Sequence, residues 1–295
     1  MSSKDPRILP MRSSLSIKAV TPVLQRLYRQ FNVANSVADP IDLVRRYSDD
    51  RDREVVGFLS AALAFGRVSS VLTSIERLLE IMGISPFGYV KNFDPTRQGA
   101  AFKNFRHRWT TGDDLVGLLL ILRQIVKRSG TIEKFFLRGY RDDEDDIGEA
   151  LESFCCRALD LVGSDRSSGV DYFFSKPSGG SGCKRLNLFL RWMVRKDHID
   201  LGVWKNISTD KLIIPLDTHV ERVGRCLRLT DYKSPGWAMA RDITNSLRYF
   251  DRNDPVKYDF SLCHIGMQDL CGFNRSENNE RCPLKRWCQP GSCMP

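Results

Sequence analysis

Apolar residues recur at helical spacing over most of the chain, and the first clear stripe is Val23, Leu24, Leu27 and Phe31. A shorter one runs from Pro40 to Tyr47 and stops at the charged turn Ser48-Asp49-Asp50-Arg51-Asp52. From Val55 to Phe65 the sequence is apolar nearly all round, as expected of a central helix in an α-helical domain. Leu115 to Val126, Ile132 to Phe136 and Ile147 to Val162 keep helical periods, with Asp142 to Asp146 a solvated acidic connection. Val170 to Phe174 is a short apolar run stopped by Pro177-Ser178-Gly179-Gly180. Leu186, Phe189, Leu190 and Met193 then predict a helix starting near Cys183. After the apolar run Leu212 to Leu216, Asp217 stands at the N-cap of a helix carrying Val220, Val223, Cys226 and Leu227 on one face. Asp254-Pro255 starts a final helix through Tyr258, Leu262 and Ile265 to about Cys271. Strand signals are few and no internal repeat is visible. The pattern predicts an all-α fold, with a flexible tail over 1–16, a helical domain over 17–262, and a cysteine-rich loop with the end of the last helix over 263–295.

Composition adds a partner. The chain of 295 residues has 42% hydrophobic and 27% charged residues, enough to bury a substantial core. Its net charge of +9 points to a polyanion, of which nucleic acid is the commonest for a soluble protein, although many basic proteins bind nothing charged. No signal sequence opens the chain, and the longest apolar stretch, Leu115 to Leu122, is too short for a membrane span; a soluble, cytoplasmic protein is expected. Nine cysteines without a secretion signal argue for reduced thiols or metal ligands rather than a disulfide framework. The segment FKNFRHRW, Phe102 to Trp109, interleaves rings and cations suited to stacking bases and neutralising phosphates, or to a packed corner with exposed charges.

Candidate chemistry concentrates between 180 and 221. Gly180 and Gly182 can take positive φ, so their turn and the following helix N-terminus can aim backbone N–H groups at a phosphate. Lys184 falls in the first turn of that helix, where the macrodipole favours an acid, so stability alone does not account for it. A shielded lysine there would keep more of the neutral, nucleophilic amine. Asp217 is placed to cap a helix, and Thr218-x-x-Glu221 offers a capping box one residue on.

Together, GSGCK before an apolar helix and I-P-L-D-T-H-V-x-R resemble the helix-hairpin-helix DNA glycosylases, the superfamily of endonuclease III and the 8-oxoguanine glycosylases. The resemblance is nearer to an uncharacterised bacterial branch of that superfamily than to its well-studied members. The resemblance covers 170 to 290 and implies a two-lobed all-α fold that flips a damaged base, for instance an oxidised purine, out of double-stranded DNA. It implies Lys184 as the nucleophile, Asp217 as the catalytic carboxylate, and AP lyase activity with glycosylase activity. Gly180, Gly182, Arg67, Arg185 and His219 are the implied DNA contacts, with Phe65-Gly66-Arg67 at the loop that enters the base stack, though the usual glutamine is absent. The 33 positions between Lys184 and Asp217 exceed the usual link, as they do in the archaeal 8-oxoguanine branch, so the insert Arg195 to Asp210 is expected to loop out.

The resemblance also implies a four-cysteine loop at Cys271, Cys282, Cys288 and Cys293, holding a 4Fe–4S cluster or zinc that the chemistry does not require. Cys282-Pro-Leu-Lys-Arg-Trp-Cys288 resembles the last two ligands of that loop. No cysteine stands near Asn279, where the second ligand belongs, so Cys293 would substitute. The expected protein is a monomer, nucleoid-associated, with no membrane partner. Two alternatives use the same residues differently: a non-catalytic helix-hairpin-helix DNA-binding protein and a metal-stabilised interaction scaffold.

Overall fold

The computed structural model describes residues 14–34, 38–164, 166–267 and 281–288. Its helices begin with α1 Ser14–Phe31, α2 Ile41–Val44, α3 Asp50–Ala62, α4 Val68–Met82, α5 Pro86–Lys91, α6 Pro95–Gln98 and α7 Gly112–Ser129. They continue with α8 Ile132–Leu137, α9 Gly148–Asp160, α10 Ser168–Phe173, α11 Lys184–Val194, α12 Thr218–Cys226, α13 Trp237–Leu247 and α14 Asp259–Met267. Among the described residues the only strands are β1 Arg106–His107 and β2 Thr110–Thr111, an antiparallel pair, so the fold is all-α. No helix among them is long and apolar enough to cross a membrane.

Local chemistry fixes the ends of these helices. Side chains of Asp49, Ser85, Asp94, Thr131 and Ser167 accept from first-turn N–H groups of α3, α5, α6, α8 and α10, and Thr111 with Asp114 forms a capping box on α7. Gly83 (φ 71) and Gly130 (φ 83) end α4 and α7. The apolar stretch over 55–65 becomes α3 and its C-terminal turn. This helix is buried on all sides and packs on α11, α2 and α5. Phe58 forms the aromatic centre with Phe154, Phe174 and Phe189, the last edge-on at 5.1 Å. Between 68 and 98 the fold adds three helices not anticipated above; α4 buries Val71, Ile75, Leu78, Leu79 and Met82, a helical stripe.

The insert does not loop out. After α11 the chain turns through an antiparallel bridge between Lys196 and Leu201, and Leu201 and Gly202 both donate to Trp192 O. Ile199, Trp204 and Ile207 are buried, and Trp204 Nε1 donates to Glu54 Oε1 at 2.6 Å. Two arginines of α11 and its C-cap organise this segment: Arg191 pairs with Asp200 and Asp259, and Arg195 with Asp197, Asp200 and Asp254. Burial pushes the Asp200 carboxyl up, and the two guanidinium groups oppose it. The ion cluster explains why a charged sequence is internal: each charge removed from water meets an opposite charge, and Arg191 ties the insert to α14 as well.

Glu54, on α3, is also buried. It accepts from Ile132 N, Glu133 N and Trp204 Nε1, yet burial outweighs these bonds and raises its carboxyl from 4.5 to about 7. A folded value above the unfolded one favours the fold fully below about 4.5, and that contribution is lost as pH rises through about 7, by about 3 kcal/mol in all. Thermal unfolding from pH 4.5 to 8 is expected to show this decline in the wild type and a flatter profile in Glu54→Gln. Parallel profiles would contradict the assignment.

Candidate active site

The site is built where three chain segments converge. Helix α10, the 3₁₀ turn Pro177–Gly179 and the residues to Cys183 lead into α11, giving a helix, a turn and a helix. Gly180 has φ 75, but the second left-handed residue is Cys183 (φ 47) and not Gly182, which contacts Leu216 and Gly236 without positive φ. The turn sits tightly on the start of α13, since a Cβ on Gly236 would lie 2.6 Å from Gly180 O. Gly179 and Gly180 donate to Lys176 O and Pro177 O, closing the 3₁₀ turn. The N–H groups of Ser181 and Gly182, by contrast, have no partner among the described residues. Cys183 provides no side-chain cap to α11 either. The anion-binding capacity of this turn therefore resides in Ser181, Gly182 and the first turn of α11.

Lys184 opens α11, as its spacing predicts. Its Nζ donates to Ala64 O at 3.0 Å, just beyond α3. The cation at an unfavourable helix N-terminus is thus offset by the carbonyl end of a second helix. Asp217 is the N-cap of α12: Oδ1 accepts from Val220 N at 2.7 Å, and the capping box at Thr218 does not form. Its other oxygen, Oδ2, lies 3.1 Å from Cys263 Sγ on α14. One carboxylate oxygen therefore holds the helix start while the other faces inward.

Lys184 and Asp217 line one cleft of about 490 Å³. Ala64 to Gly66 and Val68 form one wall; Leu188 and Arg191 of α11, Pro215 to His219, and Asp259, Phe260, Cys263, His264 and Met267 of α14 form much of the remainder, with Ala38 to Pro40 also lining it. Its surface is mostly apolar with a few charged groups, Asp217 among them, as is usual for a small-molecule pocket. Burial and then the Asp217 charge push the Cys263 thiol well above its usual range, with Lys184 opposing, so Cys263 meets Asp217 as a thiol donor. Burial likewise pushes the Asp259 carboxyl up to about 6 against the pull of Arg191, and holds His264 below its usual range.

Other expected contacts are distributed differently. Arg185 is only 8% exposed; its guanidinium donates to Ala62 O and Tyr172 O and lies 3.5 Å from the centre of the Tyr172 ring. Burial pulls it down to about 10, so a phosphate contact gives way to an internal cation bonded to carbonyls. His219 lines the cleft with Nδ1 buried and without a hydrogen-bond partner among the described residues. It packs on Gly266, where a Cβ would lie 2.5 Å from that nitrogen; a side chain at 266 would force α12 and α14 apart. Arg67 is exposed at the N-cap of α4, while Phe65 lies against rings of Trp109, His107 and Tyr172 and is not free to enter a base stack.

Of the expected metal ligands, Cys282 is buried and Cys288 half-buried, whereas Cys271 and Cys293 lie outside the described residues. No group of three or more His, Cys, Asp or Glu among the described residues is arranged to hold a metal. Two of the four thiols are thus placed and do not form a ligand set by themselves. Cys155, Cys156, Cys183, Cys263, Cys282 and Cys288 are free thiols, whereas Cys226 departs from the expectation and is disulfide-bonded.

Residues without a signal in the sequence complete the cleft. Cys263 and Asp259 reach the cleft because α14 packs on α12, and Asp259 pairs there with Arg191 of α11. No curated protein matches this chain, and no solved structure does. A family model described as "Protein of unknown function (DUF2400)" matches residues 39–268, from the cleft wall at Asp39 to just past Met267, and the chain belongs to that family.

Proposed function

We propose that the protein is a DNA glycosylase of base-excision repair with AP lyase activity, acting on double-stranded DNA that carries a damaged base. The observation that carries this reading is the convergence of Lys184 and Asp217 on one cleft despite the 33 positions between them. A cleft of about 490 Å³ has room for an extruded nucleobase and its sugar. As the glycosidic bond breaks, the base leaves with the electron pair and positive charge builds on the sugar; Asp217 is placed to stabilise it. The Lys184 Nζ lone pair forms a bond to C1′, the sugar ring opens to a Schiff base, and loss of a 2′ proton expels the 3′ phosphate. Before attack Lys184 must give up its bond to Ala64 O, and the proton its nitrogen loses on bonding C1′ goes to the departing base. The turn at Ser181 and Gly182 would hold backbone phosphate, which positions the duplex without reading sequence. No step passes through a metal.

Capping by Asp217 favours one rival, a DNA-binding module without catalysis. The two separate on Lys184→Gln. On the glycosylase reading this variant loses strand cleavage and the borohydride-trapped adduct, yet binds duplex within about tenfold of wild type, since at most one phosphate contact is lost. Strand cleavage and trapping at the wild-type level in the variant would remove Lys184 from the chemistry.

A further inference from the structure

The segment Phe102 to Trp109, with its rings and cations, divides sharply in the fold. Phe102 and His107 are buried, and His107 ties the hairpin to the cleft wall through Ser74 Oγ at 2.9 Å and Phe65 O at 3.0 Å. Between β1 and β2 a two-residue turn puts Arg108 at φ 53, a position where glycine is usual. A non-glycine residue held there stores backbone strain, which persists where the surroundings impose it and is found often at functional sites. Trp109, next in the turn, is stacked on Phe65 at 4.6 Å and 22°, and remains 50% exposed. Phe65 and Gly66 belong to the cleft, so the tryptophan stands at its rim.

Exposed cations stand on and next to the hairpin that carries this ring and at the N-cap of α4. Lys103, Arg106, Arg108 and Arg67 are exposed, and none forms an ion pair among the described residues. A half-exposed indole backed by Phe65, with the exposed Arg108 guanidinium over it at 5.4 Å, matches an unstacked base that takes the place of that guanidinium and brings its phosphate to it.

We infer that Trp109 is a stacking site for an unpaired nucleobase of DNA, at the cleft rim and distinct from the pocket that takes the excised base. This rests on the proposed function, and it moves the base-contacting role from Phe65, which is enclosed by rings, to Trp109. The base it serves is one left without its partner when the opposite nucleotide leaves the stack.

The test uses the full chain and fluorescein-labelled duplexes, one fully paired and one with a tetrahydrofuran abasic analogue opposite thymine, which cannot form a Schiff base. Wild type is expected to favour the abasic duplex. Trp109→Ala should weaken that binding by about tenfold with a much smaller loss on paired duplex, and Trp109→Phe should retain most of the preference. Acrylamide quenching, compared between wild type and Trp109→Phe, should show Trp109 shielded by the abasic duplex, a readout independent of how well the alanine variant folds. Equal loss on both duplexes, or no loss and no shielding while wild type still binds, overturns the inference and leaves the proposed function standing. Failure of wild type to bind either duplex overturns both.

Discussion

Asp217→Asn is expected to slow base excision by about a thousandfold, the scale of removing one group that stabilises transition-state charge, while stability changes by less than about 1 kcal/mol because asparagine caps a helix as well as aspartate. The substitution separates the two roles of this side chain. The amide oxygen can still accept from Val220 N, so α12 keeps its start, whereas the negative charge facing the cleft beside Cys263 is gone. Single-turnover excision on lesion-bearing duplexes, beside thermal unfolding, reads both effects. An unchanged rate would leave Asp217 as a cap only; a large fall in stability would mean that the charge and not the cap geometry holds the helix.

Arg195→Met should destabilise the fold by about 3 to 5 kcal/mol, the usual effect of removing one partner from a buried ion cluster. Arg195 faces Asp197, Asp200 and Asp254, and Asp200 would keep only Arg191. The remaining carboxylates are mostly buried and would favour protonation, so the loss should shrink as pH falls. Because the insert links α11 to the segment before α14, its release should also loosen the far wall of the cleft. Urea unfolding at pH 5 and pH 8 measures this. A loss below 1 kcal/mol at both pH values would show that the cluster is dispensable to the fold.

The helical period was legible where apolar residues dominate a whole turn: Val55 to Phe65 reads as a buried helix because no polar face interrupts it, and it is α3. Lys184 and Asp217 were legible from motif chemistry and helix-start signals, and the fold brings both to one cleft. The insert was not. Its Arg, Lys and Asp residues read as solvent-facing, and only three-dimensional pairing across α11, the insert and α14 makes their burial favourable. Arg185 misleads for a similar reason, since nothing local reveals that backbone carbonyls of Ala62 and Tyr172 await its guanidinium. Glycine is the usual left-handed residue, so the sequence points to Gly182, yet its neighbour Cys183 adopts that conformation.

Borohydride reduction of the wild-type protein on duplex with a natural abasic site, followed by peptide mass spectrometry, tests the central claim most directly. The account predicts a covalent DNA adduct on the peptide carrying Lys184, absent from Lys184→Gln. An adduct on Lys205 of the insert or on Lys211 just after it, or no adduct on any lysine, would contradict it.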